Sequence, residues 1–255
     1  MDFIQSIILG IVEGITEFLP VSSTGHLILT SSLLNIPHTD FVKSFEIFIQ
    51  FGAILAVLIL YWKLFLDKEI LIKLAIAFIP TGIIGFSLYK IAKSFLGNEQ
   101  IVIWALALGG LVLIAFELFG NTKDGDQTKS AKDVTYKQAF LIGIFQAIAI
   151  IPGVSRSAAT IIGGQALGIA RKSIVEFSFL LAVPTIAAAS GLDLIKNPTS
   201  ISTDTLPLIL VGSLVSFLVA IIAIKFLLKF ITTNTFVSFG IYRIVVAIAF
   251  WAIIL

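Results

Sequence analysis

The sequence contains no cysteine, and only 13% of its residues are charged. The absence of cysteine excludes disulfides, thiolate metal sites and a cysteine nucleophile, so any chemistry must use oxygen and nitrogen groups. Charged residues make up about 25% of an ordinary soluble domain, so this chain is too poor in charge to be one. Its formal net charge of +2 is too small to indicate a nucleic-acid partner.

Long apolar runs fill most of the 255 residues instead. Their length suits membrane helices of about 20 residues, and they lack the alternating segments of about 10 residues that form outer-membrane barrels. Six runs predict uninterrupted spans, at residues 45–62, 70–92, 101–120, 174–193, 207–228 and 236–255. The sequence therefore predicts an all-α polytopic membrane protein with a single integral membrane domain, residues 1–255.

Two further apolar regions, residues 3–34 and 138–169, are each interrupted near the middle by proline and small polar residues. The interruptions are LPVSSTGH at residues 19–26 and PGVSRS at residues 152–157. An irregular backbone in hydrocarbon must find its hydrogen bonds inside the protein. We therefore predict two re-entrant helix–loop–helix hairpins whose tips lie at depth, with one kinked span per region as the alternative.

The two interrupted regions align with each other at a constant offset of 133, which pairs Glu13 with Gln146. Three spans follow each hairpin, and an odd number inverts the second copy. Residues 1–120 and 138–255 are therefore predicted to form an inverted-topology repeat. In such repeats the interrupted segments meet near the bilayer midplane and form the binding site.

Lysine and arginine in the connecting segments orient the chain, because they are concentrated on the cytoplasmic side of membrane proteins. Eleven fall on one side of the predicted arrangement and four on the other. The larger group is Lys63, Lys68, Lys73, Lys123, Lys129, Lys132, Lys137, Arg171, Lys172, Lys225 and Lys229, and the smaller is Lys43, Lys90, Lys93 and Lys196. We expect a cytoplasmic linker at residues 121–137, both termini outside, and the first hairpin entering from the outer face.

Two carboxylates, Glu13 and Glu17, lie four residues apart in the first apolar region and would share one face of a helix. Like charges in a low dielectric suit an acid/base pair, whereas a divalent cation between them would keep both ionised. The alternative without a function is a solvent-exposed helix with incidental acids.

Polar residues crowd the first interruption, at Ser22, Ser23, Thr24 and His26. An imidazole there could relay a proton or act as a nucleophile, or it could be a hydrogen-bonded core residue. The hydroxyls could supply a nucleophile, bind an anion, or satisfy the backbone of a broken helix.

Arg156 lies between Ser155 and Ser157, at the start of an apolar helical run. A helix N-terminus and a guanidinium fork together suit a phosphate or carboxylate group. The alternative is a structural ion pair with an acid such as Glu13 or Glu17. Other polar residues in the apolar regions are expected to line the cavity or to pair structurally; these are Glu46, Gln50, Glu117, Gln146, Glu176 and Arg243.

Two carboxylates, an imidazole, several hydroxyls and one arginine are the groups that phosphoryl transfer needs, provided that the two hairpins meet. Other chemistries lack their signatures, because no Walker A, GxGxxG, HExxH or GxSxG pattern occurs.

Two motifs of the chain closely resemble the hallmark motifs of bacterial undecaprenyl-diphosphatases of the bacitracin-resistance type. They are GIVEGITEFLPVSSTGH at residues 10–26 and PGVSRSAAT at residues 152–160, and the resemblance extends over essentially the whole chain. It implies removal of the terminal phosphate from undecaprenyl diphosphate. The product would be the monophosphate carrier lipid, which is recycled for peptidoglycan, and resistance to bacitracin would follow.

The same resemblance implies which residues form the site. The family's acidic motif falls on Glu13 and Glu17, its serine on Ser23, its histidine on His26 and its arginine on Arg156. It also implies dependence on a divalent cation, Mg²⁺ or Ca²⁺, and a site open to the outer face of the bacterial cytoplasmic membrane. Further hydrogen bonds to the substrate are expected from Ser22, Thr24, Ser155 and Ser157.

On this interpretation Glu13 and Glu17 hold the cation or manage protons, Arg156 binds the diphosphate, and Ser23 or His26 attacks or activates water. The expected partners are a polyprenyl diphosphate and the lipid bilayer, and a homodimer is left open. A secondary transporter or flippase for a polyprenyl phosphate lipid is the alternative, because inverted repeats with broken helices are the architecture of many carriers.

Overall fold

The computed structural model describes residues 1–37, 39–88, 95, 98–120, 130–196 and 205–254. This described part contains ten α-helices, three short 3₁₀ turns and no strand. The helices are α1 (Phe3–Thr16), α2 (Ser23–Leu33), α3 (Asp40–Leu60), α4 (Lys68–Ser87), α5 (Glu99–Phe119), α6 (Tyr136–Ala147), α7 (Arg156–Ala166), α8 (Arg171–Lys196), α9 (Leu206–Phe230) and α10 (Val237–Ile254). The predicted all-helical class is confirmed.

Some predicted features fall on residues outside this described part. They are residues 121–129 of the linker, the ends of the spans at 89–92 and 255, and the charges Lys90, Lys93, Lys123 and Lys129.

Five helices, α3, α4, α5, α8 and α9, are long and apolar enough to cross a membrane. The predicted sixth span corresponds to α10, which is a shorter apolar helix. Large apolar side chains point away from the protein, and Phe86 and Phe119 are 85% and 86% exposed. Exposed apolar surface of this extent requires lipid in place of water, so the chain is an integral membrane protein.

Two helical hairpins, α1–α2 and α6–α7, stand where the sequence is interrupted. Their first helices both begin with a capping box, Asp2 with Gln5 in α1 and Thr135 with Gln138 in α6. Each second helix has a serine as its N-cap. Corresponding helices in the two hairpins begin 133 positions apart.

Each half of the chain packs its first helix against the other half. Helix α1 lies along α9, and α6 lies along α4, while α5 pairs with α10 and α3 contacts both α8 and α9. Small residues allow the close approach of α1 and α9, because a Cβ atom at Gly10 would lie 2.6 Å from the carbonyl oxygen of Gly212. Such small-residue contacts are the usual basis of tight helix packing in membranes.

Polar contacts join the described end of the linker to α4 and α8. The Lys132 ammonium lies 2.5 Å from the Asp67 carboxylate and holds the pKa of Asp67 below its usual value. Lys73 donates to the carbonyl oxygen of Lys132 over 2.6 Å. Glu176 accepts a hydrogen bond from the amide of Ala131 over 3.4 Å, so this acid faces the linker.

The contact of α6 with α4 predicts the effect of a single added methyl group. A Cβ at Gly143 would lie 2.0 Å from the carbonyl oxygen of Ala77, so Gly143→Ala should destabilise the protein by about 1–3 kcal/mol. Gly82→Ala is the matched control, because its Cβ would meet only Phe78 at 3.9 Å. Thermal unfolding in detergent should show a lower Tm for the first variant alone, and equal Tm values would contradict the packing.

Candidate active site

The second helix of each hairpin begins at a serine with an unusual backbone conformation. Ser22 has φ 73° and Ser155 has φ 72°, a region that residues other than glycine rarely adopt. Each side chain accepts a hydrogen bond from the helix it caps, Ser22 from the amide of Gly25 and Ser155 from that of Ala158. Strained conformations of this kind persist where the surrounding structure enforces them, and they concentrate at functional sites.

Glu17 links the two hairpins through its carboxylate. One oxygen, Oε1, accepts a hydrogen bond from Arg156 Nη2 over 2.8 Å. The other, Oε2, accepts one from the hydroxyl of Ser23 over 2.5 Å. The side chains of Glu17 and Arg156 are only 7% and 12% exposed, so this ion pair is buried. The predicted meeting of Glu17, Ser23 and Arg156 is observed.

Further hydrogen bonds orient the second hairpin at this point. Arg156 Nη1 donates to the carbonyl oxygen of Ser178 in α8 over 2.8 Å. Ser157 donates to the carbonyl oxygen of Phe18 over 2.9 Å, which joins the second hairpin directly to the first. Thr160 lies 2.7 Å from the hydroxyl of Ser178. Of the five N–H donors of Arg156, two are therefore used by described acceptors.

Glu13 precedes Glu17 by one helical turn and is fully buried. Neither of its carboxylate oxygens has a hydrogen-bond partner in the described part of the chain. The carboxylates of Glu17 and Glu46 act on it electrostatically. Because a buried, unpaired carboxylate is costly, Glu13 requires a proton or a cation.

His26 lies close to the first hairpin turn but makes no hydrogen bond to Ser23 in the described contacts. Its Nδ1 lies 2.8 Å from the carbonyl oxygen of Ser22, and its Nε2 lies 2.9 Å from the hydroxyl of Tyr242. A carbonyl oxygen can only accept, so Nδ1 carries a proton and Nε2 faces Tyr242. The two rings are stacked, with centroids 5.5 Å apart.

The expected cavity-lining residues divide into two groups. Glu46 lies near Glu13 and accepts a weak hydrogen bond from Ser31 over 3.3 Å, while Gln50 lies one turn further along α3 and is half-buried. Thr24 is also half-buried, in the first turn of α2. These residues belong to the same half as the acidic pair.

The remaining polar residues have partners elsewhere. Gln146 donates to the hydroxyls of Thr81 and Thr185 over 2.9 and 3.2 Å. Glu117 forms an ion pair with Arg171. No described contact joins Gln146, Glu117 or Glu176 to the Glu17–Arg156 ion pair.

Sequence reasoning did not single out Ser178, Thr160 or Tyr242 as site residues, and it gave Arg243 only a general lining role. Tyr242 and Arg243 are adjacent polar residues inside an otherwise apolar helix, and that placement alone was a signal of function. For Ser178 the contact uses a backbone carbonyl oxygen, which any residue type supplies.

The fold and the buried cluster define a helical membrane protein with an ionic, hydroxyl-bearing centre where two hairpins meet. The chain belongs to the bacitracin resistance protein BacA family, whose family model matches residues 6–249. This membership confirms the resemblance seen in the two motifs.

Similar proteins extend over nearly the whole chain. An undecaprenyl-diphosphatase of Sulfurihydrogenibium sp. is 52% identical over 251 residues, which cover 98% of this chain and 99% of that protein. Undecaprenyl-diphosphatases of Persephonella marina and Aquifex aeolicus are 52% and 49% identical, over 256 and 253 residues. The former alignment covers 100% of both chains, and the latter covers 98% of both.

The buried ion pair predicts a strong coupling between its two partners. Glu17→Gln or Arg156→Gln alone should destabilise the fold by about 3–5 kcal/mol, because each leaves an uncompensated buried charge. The double variant should be less destabilised than the sum of the two by about 1–3 kcal/mol. Unfolding in detergent with increasing denaturant measures this cycle. Additive effects would mean that the two charges do not stabilise one another.

Proposed function

We propose that this protein hydrolyses undecaprenyl diphosphate to undecaprenyl phosphate and inorganic phosphate, which recycles the carrier lipid for peptidoglycan synthesis and confers resistance to bacitracin. The observation that carries this proposal is the hydrogen-bonded chain of Arg156, Glu17 and Ser23 across the two hairpins. It combines an anion-binding cation, a base and a nucleophile in one buried place. The diphosphatase names of its full-length relatives support the same reaction.

Ser23 is the nucleophile in this proposal, and Glu17 is its base. The hydroxyl of Ser23 already donates to Glu17, so the proton can move to the carboxylate as the serine oxygen attacks the terminal phosphorus. The bond from that phosphorus to the bridging oxygen breaks, and undecaprenyl phosphate leaves. Water then attacks the phosphoserine, and Glu17 returns its proton to the departing serine oxygen.

His26 has a supporting role in this scheme. Its two ring nitrogens contact Ser22 and Tyr242, not Ser23 or Glu17. Through the carbonyl oxygen of Ser22 it steadies the residue that caps α2 and directly precedes the nucleophile. Its effect on the rate is therefore expected to be smaller than that of Ser23.

Arg156 and the start of α7 form the proposed binding site for the diphosphate. The free amides and dipole of a helix N-terminus favour an anion, and a guanidinium adds directional N–H donors. Ser155 precedes the arginine, and Ser22 and Thr24 flank the nucleophile, so in this scheme their hydroxyls donate to the substrate phosphates. The expected bond from Ser157 is not part of the scheme, because its one O–H already donates to the carbonyl oxygen of Phe18.

Glu13 is the residue best suited to hold a divalent cation, because both of its oxygens lack described partners whereas both oxygens of Glu17 are already bonded. The described residues contain no group of three acidic, histidine or cysteine side chains that could hold a metal ion. This fits Mg²⁺ or Ca²⁺ bound by one or two carboxylates together with substrate phosphates. The bound cation would neutralise charge on the phosphates.

The proposed arrangement in the membrane is six spans and two re-entrant hairpins in an inverted repeat. The matching helix starts at an offset of 133 and the reciprocal packing of α1 on α9 and α6 on α4 support it. Exposed tryptophans near helix ends, at Trp62, Trp104 and Trp251, suit the two interfaces of a bilayer. We further propose the cytoplasmic membrane of a bacterium, with termini and site on the outer side.

The same repeat would suit a transporter or flippase, which is the second candidate function. A transporter moves its substrate between two compartments and does not break the phosphoanhydride bond. Phosphate release by purified protein in detergent, where there is only one compartment, therefore separates the two functions.

The proposed nucleophile predicts which variants lose phosphate release. Wild-type protein should release phosphate from a prenyl diphosphate, and Ser23→Ala should lower kcat by about 10³-fold or more. His26→Gln should lose less, about 10–100-fold, and Ser238→Ala, the same change at an exposed serine, should retain full activity. A trapped intermediate should be stable in acid, as phosphoserine is. An acid-labile intermediate that persists in Ser23→Ala would identify His26 as the nucleophile instead.

The proposed cation predicts a specific defect at Glu13. EDTA should abolish phosphate release, and Mg²⁺ or Ca²⁺ should restore it. Glu13→Gln should raise the half-saturating cation concentration by about tenfold or more, because it removes a charged ligand. Asp40→Asn, the same loss of charge at a carboxylate whose side chain is 85% exposed, serves as control. Equal cation dependence in Glu13→Gln and wild type would show that Glu13 does not bind the ion.

A further inference from the structure

Arg243 is the largest of the fully buried side chains in the described part of the chain, with 0% of its surface exposed. Its five N–H donors make five hydrogen bonds, so the guanidinium is completely satisfied. All five acceptors are backbone carbonyl oxygens, and none of the salt bridges in the described ranges involves this arginine. A buried charge with this arrangement has a structural purpose that a lysine or an apolar residue would not serve.

The acceptors come from both hairpin turns and from α5. Nη1 donates over 3.2 Å to Pro20 in the first turn and over 3.2 Å to Val154 in the second. Nη2 donates over 2.9 Å to Gly153. The two remaining bonds, to Ala105 and Leu106 in α5, have lengths of 3.0 and 3.3 Å.

These carbonyl groups lie next to the two serines with positive φ. Val154 directly precedes Ser155, and Pro20 is two residues before Ser22. The serines in turn start the helices that carry Ser23 and Arg156. One planar group therefore holds the backbone of both turns at the point where each reaches the reacting residues.

We propose that Arg243 is a positioning residue that keeps the two hairpin turns in register, so that Ser23 and Glu17 of the first meet Arg156 of the second. It touches neither substrate nor reacting atoms and acts through the backbone. The kinetic part of this inference rests on the proposed hydrolysis. A shift of about 1 Å in such a constellation costs about 10²-fold in rate, so the loss should appear in kcat.

A substitution at Gly109 can displace the guanidinium of Arg243 without changing Arg243 itself. A Cβ atom at Gly109 would lie 2.0 Å from Arg243 Nη2 and 2.6 Å from its Cζ. Gly109→Ala therefore displaces the guanidinium while keeping its charge. Gly191→Ala is the matched control, because nothing lies within 4 Å of the Cβ it would add.

The test measures kcat, KM and Tm for Arg243→Lys, Arg243→Gln, Gly109→Ala and the double variant Arg243→Lys with Gly109→Ala. Arg243→Lys and Arg243→Gln should lower kcat by about 30-fold or more and leave KM within about threefold of wild type. Arg171→Lys, the same change at an arginine that contacts Glu117 and Asn234 and none of the proposed site residues, should stay within about threefold in both.

The combination of variants separates positioning from general damage. In the protein that retains Arg243, Gly109→Ala should lower kcat by about tenfold or more. In the Arg243→Lys background the same change should lower kcat by less than about threefold, because lysine leaves room for the methyl group. Added guanidinium ions should recover activity in Arg243→Gly at constant ionic strength, and ammonium ions should not. Should Arg243→Gln fail to fold, Arg243→Lys and Gly109→Ala decide the question.

Equal effects of Gly109→Ala in both backgrounds, a loss confined to KM, or Arg243→Gln within threefold of wild type would each overturn the inference. If wild type releases no phosphate, the proposed function fails and the positioning role is judged on Tm. In that case Gly109→Ala should lower Tm beside Arg243 and not beside lysine, and equal decreases would refute the contact.

Discussion

The ion pair between Glu17 and Arg156 joins residues that lie 139 positions apart, one from each helical hairpin. In apolar surroundings an unpaired carboxylate or guanidinium is expensive, so each of these charges depends on the other hairpin for its partner. The close packing of α1 on α9 and of α6 on α4 brings the hairpins to the place where the pair can form. The hydroxyl of Ser23, the proposed nucleophile, is then oriented by the same carboxylate that satisfies Arg156.

Much of the framework could be predicted because it depends on local chemistry. Apolar runs of spanning length, capping residues and proline-containing breaks locate the helices and both hairpins, and the predicted spans agree with the observed helices to within a few residues at most ends. Glu13, Glu17 and Arg156 can be singled out because only 13% of the residues are charged, whereas Ser23 is one of several hydroxyls in its turn and is singled out by the resemblance of its motif. The cost of burying an unpaired guanidinium also indicated an ion pair of Arg156 with Glu13 or Glu17 as an alternative, and the structure contains the pair with Glu17.

Long-range partners could not be predicted, because nothing in a single sequence states which distant side chains meet. Tyr242 lies 216 positions from His26, and its contact engages the ring nitrogen that Ser22 leaves free, so neither nitrogen of His26 bonds to Ser23. Glu176 was expected to line the cavity because it is an acid within an apolar region. In the structure it accepts a hydrogen bond from Ala131 at the linker instead. Arg243 differs from Arg156 only in its surroundings, since carbonyl oxygens surround the former and a carboxylate meets the latter.

Positions 13 and 146 occupy equivalent places on α1 and α6, but their chemistry is opposite. Glu13 has two unbonded carboxylate oxygens, whereas the amide of Gln146 donates to two threonine hydroxyls. One hairpin can therefore attract a cation, while the other presents a neutral amide already engaged within the protein. The two hairpins therefore have corresponding helices but carry different charge at this position. In the inverted arrangement proposed above, this difference would confine the cation-attracting carboxylate to one side of the bilayer, so the two leaflets would not be served equally.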